Sequence, residues 1–282
     1  MIDRHLTERI GFAVLFLATL LVVVPIFVVI GVVVVRGLPA ISWEFLTAPP
    51  RNGMTEGGIF PALVGTIVLT LGTAVASIPV GVGGAIYLAE YATDSWLTRS
   101  IRLAIVNLAG VPSVVYGLFG LGLFVLFLQM GTSILAGSLT LAIMTLPVII
   151  SSAEEALRAV PVEFRTVSAS LGGTRWQGIW RIVLPQAMPG VVTGVLLGLL
   201  RAAGETAPIL FTVVAFFLPT LPHSPFDQTM ALPYHLYVVS TQVPGMPPEI
   251  QFGTALVLMG LVLSMNVAAT LVRRRFRSRR QW

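Results

Sequence analysis

The chain has 282 residues, 56% hydrophobic and only 10% charged, with a mean hydropathy of +0.91. A soluble domain carries about 25% charged residues and a disordered chain needs low hydrophobicity, so both are excluded and an integral membrane protein remains. The net charge is +5, there is no Cys, and all 17 basic residues are Arg; the chain therefore has no disulfide, no thiolate metal site and no Walker A lysine, and it is not itself a P-loop ATPase.

A spanning helix needs about 20 mostly apolar residues. The first uncharged run is Ile10 to Val35, between Arg9 and Arg36. It is longer than the 7–15-residue core of a secretory signal, and no small-residue cleavage site follows, so it is predicted to be a retained helix kinked at Pro25. Gly57 to Ala89 is the second run. Leu103 to Ala153 is long enough for two spans, with a break near Gln129–Ser133. Gly190 to Leu218 is apolar apart from Arg201 and Glu205, and Gln251 to Val272 is the last run. The prediction is an all-α polytopic protein with six transmembrane helices.

Basic residues stay on the cytoplasmic side. With the N-terminus inside, the inner segments carry 14 Arg, including six between Arg273 and Arg280, and the outer loops carry only Arg36 and Arg51. Both ends are therefore predicted to be cytoplasmic. The basic tail is a topology anchor beside anionic lipid rather than a nucleic-acid site. The outer segments are Arg36–Glu56 and Pro219–Ile250. The second holds six prolines before Pro248 and reads as an ordered loop with a short helix around Met230–Ser240. His223 and His235 lie in it as ordinary loop residues, without the ligand cluster a metal needs.

The longest inner loop, Glu154 to about Pro189, is more than a linker. Phe164, Val167 and Leu171 recur at helical spacing, and Pro161 suits a first helical turn. Gly172–Gly173 breaks that helix. Trp176, Ile179, Trp180 and Val183 then form an apolar side opposite Arg175, Gln177 and Arg181, up to Pro185, where this stretch is predicted to end. Trp with Arg suits a membrane interface. The loop either simply joins two spans or presents a short helix to a cytoplasmic partner.

The order of residues decides between these. Arg165-Thr166-Val167-Ser168-Ala169-Ser170-Leu171-Gly172, with Ile182-Val183-Leu184-Pro185 following ten residues after the glycine, resembles the "EAA" signature of bacterial ABC importer permeases. Its glutamate is Thr166 here, and its two alanines are Val167 and Ser168. The resemblance covers roughly residues 58–272. It implies a type I importer (MetI-like) fold and a loop that docks into a cleft on a separate ATPase subunit. Glu163, Arg165, Gly172, Ile182, Leu184 and Pro185 are its marked positions.

Arg201 and Glu205 are four residues apart within span five, on one helix face. Two charges at a helix centre cost about 5–7 kcal/mol on the insertion scale, and the ten Val, Leu, Ile and Phe residues between Gly190 and Phe211 return about 3–6. Such a helix is held by neighbours, with its charges facing protein or a water-filled path. Gly190, Gly194, Gly198 and Ala202 form a small-residue seam for close contact. Pro208 cannot donate to the carbonyl of Gly204, which weakens the helix beside Glu205. The pair either neutralises itself in the bundle or serves an anion. Arg suits an oxyanion because its planar fork makes paired hydrogen bonds, and Glu205 can hold Arg201 and keep the anion from binding too tightly.

Arg201-Ala202-Ala203-Gly204-Glu205-Thr206-Ala207-Pro208 is similar to the R-A-x-G-E-T-A-P motif of phosphate importer permeases of the PstA type. Gly110-Val111-Pro112-Ser113-Val114-Val115-Tyr116-Gly117 resembles a run common in the same permeases. The resemblance implies anion contact by Arg201, counter-charge at Glu205, a hydroxyl contact from Thr206, and path-lining roles for Ser113 and Tyr116. It implies as partners a homologous PstC-type permease, two copies of a PstB-type ATPase that binds the ATP and Mg, and a PstS-type periplasmic phosphate-binding protein. This chain needs no cofactor of its own. The resulting division is a first helix with its external loop over 1–56, a permease core over 57–272 with its coupling loop at 154–189, and a basic tail over 273–282. The alternatives are a permease for another oxyanion, sulfate or molybdate, and an ion-driven secondary transporter.

Overall fold

The computed structural model describes residues 4–170 and 172–277. Leu171 of the predicted coupling helix and the last five residues of the basic tail lie outside the described residues. Helix α1 is Arg4–Gly37 and continues without interruption through Pro25, so the predicted kink does not divide the helix. The first outer segment holds a short helix α2 (Trp43–Thr47), capped by Ser42, and a two-residue antiparallel hairpin of β1 (Pro50–Arg51) and β2 (Glu56–Gly57).

Helix α3 (Phe60–Ile86) continues into a π turn at Tyr87–Tyr91. Helices α4 (Trp96–Ala109) and α5 (Ser113–Gly120, extended by a π segment to Phe127) follow. Helix α6 is Ile134–Arg158, with Ser133 as its N-cap, and Gln129 takes a positive φ in the break predicted there. The short helices α7 (Val162–Ser170) and α8 (Arg175–Gly178) lead through a π turn at Ile179–Val183 into α9 (Leu184–Gly204). Helix α10 is Ala207–Thr212, α11 is Leu232–Thr241 and α12 is Pro248–Arg277. The short external helix predicted at Met230–Ser240 is thus α11.

Among the described residues, five helical segments are long and apolar enough to cross a membrane, and the pair α4–α5 makes a sixth if taken as one broken span. The predicted third span is therefore not a straight helix: its halves are bent by 104°. The bend falls at Gly110-Val111-Pro112, where Pro112 has no N–H to give and disfavours helical geometry at Val111. The last turn of α4 closes tightly, with the amides of Gly110 and Val111 donating to Asn107 and Leu108.

Two further expectations change. Pro185 does not end the amphipathic stretch, because Arg175–Gly204 is one continuous helical run. The π turn immediately before Pro185 accommodates its missing donor and its ring without stopping the helix. The fifth span also stops at Gly204 rather than reaching Leu218.

The centre is α3, α6 and α9. A bilayer gives helices no hydrophobic drive to associate, so close backbone approach has to supply the packing. The glycine seam does this. A Cβ at Gly190 would strike Ala156, one at Gly194 would strike Ser152, and one at Gly198 would sit 3.0 Å from Ile149, all on α6. On α3, Gly72 meets Ser138 and Gly81 meets Ile149 in the same way. One buried cluster joins Ile86, Leu157, Ile179 and Val183 at one end of the bundle. A second joins Phe45, Met230, Leu232 and Val239 at the other, beneath α11. A third, around Tyr116, Leu141, Met144 and Ile209, lies with Ala202 beside the break after α9. Helices α1 and α12 pack on the outside, α1 with most of its apolar length exposed and that of α12 mostly half-buried.

A candidate anion path at a broken helix

Arg201 lies in the last turn of α9, where a cation complements the helix dipole. Glu205 is extended (φ −76°, ψ 137°), and its amide donates to the Ala202 carbonyl at 3.3 Å. The helix is thus broken outright rather than weakened. The chain is non-helical at Glu205 and Thr206 and restarts at Ala207-Pro208, where the fixed φ of proline suits a first turn. Arg201 and Glu205 do not share a helix face, yet their side chains still meet, with Nε 3.3 Å from Oε1.

The pair is loose and partly open. The Arg201 side chain is 39% exposed and that of Glu205 17%. Among the described residues the Arg201 guanidinium makes no other hydrogen bond, so both Nη groups remain available. The Thr206 hydroxyl, although at the N-cap of α10, does not cap it, and the residue is half-buried. Behind Glu205 lies a cavity of about 10 Å³, room for one water, lined by Thr66 and Thr70 of α3 together with Leu141, Ala203 and Ile209.

Helix α5 brings Ser113 and Tyr116 to this region. It packs on α10 so closely that a Cβ at Gly117 would lie 3.0 Å from the Ala207 carbonyl oxygen and 2.8 Å from the Phe211 ring. Ser113 is the half-buried first residue of α5. Tyr116 is buried, and its hydroxyl donates to the Leu108 carbonyl at 2.8 Å across the bend. Thr66 and Thr70, which line the cavity behind Glu205, were not anticipated from the sequence; their hydroxyls donate to the carbonyls of Ala62 and Thr66 in their own helix. Their signal was Thr66, Thr70, Thr73 and Ser77, hydroxyls at three- and four-residue spacing on the buried face of α3.

The segment expected to couple to an ATPase gathers at the other end of α3. Glu163 is exposed in the first turn of α7. Arg165 instead turns inward, with Nη2 2.9 Å from the buried Glu90 carboxylate and donors to the carbonyls of Leu157 and Val160 at 2.9 and 2.5 Å. Gly172 takes φ +71°, a left-handed conformation that suits the turn after α7. Thr174 and Gln177 cap α8 reciprocally. Leu184 is buried, Ile182 half-buried and Pro185 exposed. Arg175 donates to the Glu90 carbonyl and lies 5.1 Å from the Tyr91 ring centroid. Arg102 of α4 donates to the Leu88 carbonyl and to Glu154, each at 2.9 Å, and Arg158 joins Glu154 at 2.9 Å. His235 is not a loop residue: it lies on α11, 2% exposed, its Nδ1 without a partner, and burial lowers its pKa to about 4. No group of three or more His, Cys, Asp and Glu capable of holding a metal occurs among the described residues.

These features define a polytopic helical membrane protein with a broken helix inside its bundle and a cluster of arginines gathered at the end of α3. Residues 81–278 match the family described as binding-protein-dependent transport system inner membrane component, and the chain belongs to that family. More particularly, it is 36% identical over 276 residues to the phosphate transport system permease protein PstA of Mycobacterium leprae, covering 94% of this chain and 88% of that protein. It is 32% identical over 281 residues to the probable ABC transporter permease protein YqgI of Bacillus subtilis, covering 95% of each. It is 32% identical to the probable PstA of Methanocaldococcus jannaschii, covering 94% of this chain and 92% of that one. Among solved structures, the fold is shared with a bacterial ABC transporter that imports alginate (TM-score 0.64, 14% identity, 96% of this chain and 99% of the other). It is also shared with the MetNI methionine ABC transporter (TM-score 0.63, 16% identity, 76% and 94%).

Proposed function

We propose that this chain is the PstA-type permease subunit of an ATP-driven phosphate importer in a bacterial-type cytoplasmic membrane, with both ends inside. The observation that carries this reading is Arg201: a guanidinium at a helix end in the bundle, tethered by one hydrogen bond to Glu205 and with both Nη groups unoccupied. The paired donors of a guanidinium fit a phosphate edge. The R-A-x-G-E-T-A-P sequence around it and the PstA relatives support phosphate as the cargo.

A homologous PstC-type permease completes the path, two PstB-type ATPases hold the ATP and Mg, and a PstS-type protein delivers the anion. ATP chemistry is theirs. This chain supplies alternating access: the segment from Pro161 to Pro185 follows the ATPase, and the spans open first to one side and then to the other. Glu205 returns to Arg201 as the anion leaves, which keeps binding weak enough for release.

The test is uptake of labelled phosphate by the complete complex in proteoliposomes, with ATP on the ATPase side and sulfate or molybdate in excess. Uptake that survives the competitors supports phosphate. Uptake abolished by sulfate assigns the path to another oxyanion.

A further inference from the structure

Three arginines from three elements converge on the end of α3. Arg102 of α4 takes the Leu88 carbonyl, Arg165 of α7 takes the Glu90 carboxylate, and Arg175 of α8 takes the Glu90 carbonyl. Helix-end carbonyls favour cations, and the π turn at Tyr87–Tyr91 presents these groups together. Glu90 is the exception in charge. It is a carboxylate only 6% exposed, and leaving it unpaired in that setting is strongly destabilising.

We infer that Glu90 is the positioning residue through which movement of the coupling segment is passed to the anion path. The inference rests on the permease reading above. Helix α7 packs on the bundle through the half-buried Phe164 and Ser168, while Val162 and Val167 are exposed, so Arg165 is its charged link to the end of α3. Its Arg165 binds Glu90 by charge, while α8 binds the same residue through its backbone. A displacement of α7 therefore either drags Glu90 along or breaks a buried ion pair, and one of α8 either drags it or breaks the Arg175 hydrogen bond. A cavity of about 310 Å³ between Glu90, Ser168, Thr174 and the two arginines leaves the segment room to shift.

Residues Phe60–Tyr91 form one helical run. From Glu90 to Thr70 is twenty residues, roughly 30 Å along its axis. Thr70 lines the cavity behind Glu205. Helix α3 thus joins the coupling segment at one end to the Arg201–Glu205 break near the other, as a packed rigid element can.

The experiment is Glu90→Gln in the complete complex in proteoliposomes, scored for ATP hydrolysis, substrate uptake and co-purified ATPase, with Glu90→Asp alongside. The substitution keeps shape and hydrogen bonding and removes the charge. The expected result is a full complement of ATPase, hydrolysis above half of wild type, and uptake per ATP lowered roughly tenfold, with partial recovery in Glu90→Asp. A wild-type uptake-to-hydrolysis ratio in Glu90→Gln overturns the inference. So does a parallel loss of hydrolysis, uptake and bound ATPase, which makes Glu90 a structural support only. If the wild-type complex carries an anion other than phosphate, the same ratio is measured with that anion, so the two readings fail separately.

Discussion

Arg201 and Glu205 meet through one nitrogen and one oxygen, 3.3 Å apart, across the point where α9 stops. A buried pair held for stability alone repays its desolvation only with close geometry and additional hydrogen bonds. This one is single-stranded and partly open. Removing the Glu205 charge is expected to leave Arg201 with no competitor for the anion. Glu205→Gln then lowers both the maximal uptake rate and the KM, each by roughly five- to tenfold. Initial-rate uptake across a phosphate series reads both.

Tyr116 makes the opposite case. Its hydroxyl is spent on the Leu108 carbonyl, so it supports the bend rather than the anion. Tyr116→Phe is expected to cost about 1 kcal/mol of stability. Uptake by the folded complex stays within twofold. Melting in detergent and uptake per folded complex separate the two effects.

The glycine contacts set the bundle. A Cβ at Gly65 would run into the Met230 carbonyl oxygen and the Thr229 hydroxyl, both in the segment leading to α11. Gly65→Ala is expected to destabilise by about 1–3 kcal/mol or more, because backbone cannot step aside. Gly83→Ala, on the same helix with nothing within 4 Å, is the control and costs nothing by this mechanism. Melting temperatures of the two variants check it.

His235 gives a pH dependence. Held at about 4 in the fold against 6.5 ordinarily, it stays neutral when folded and takes a proton when unfolded between those values. Its contribution to stability is complete above about pH 6.5 and falls away toward pH 4, by about 3 kcal/mol in all. His235→Leu is expected to flatten that part of the melting-temperature profile. An unchanged slope in the variant would place the titration elsewhere.

What the sequence showed, and what it hid, follows from range. The apolar runs marked the spans because hydropathy is a local property, and the glycine spacing on α9 marked its seam for the same reason. The Gly110-Val111-Pro112 run was visible as a motif, yet its 104° bend depends on α5 finding α10 to pack against. Pro185 looked like a stop because a π turn leaves no periodicity to read. Glu90 and Arg165 are 75 positions apart, and nothing in either neighbourhood announces the other. The triplet Arg201, Glu205 and Thr206 was legible from its motif and its cost in the bilayer. That Glu205 leaves the helix was not, because Pro208 shows where bonding is lost and not where the chain goes.

The central claim is that the Arg201 guanidinium carries the anion through the bundle. Its most direct measurement is phosphate uptake by the Arg201→Leu complex, alongside the amount of assembled ATPase. The account predicts full assembly with uptake down by about 100-fold or more, the loss of a paired, charge-assisted contact. Uptake at the wild-type rate by an assembled Arg201→Leu complex would contradict it.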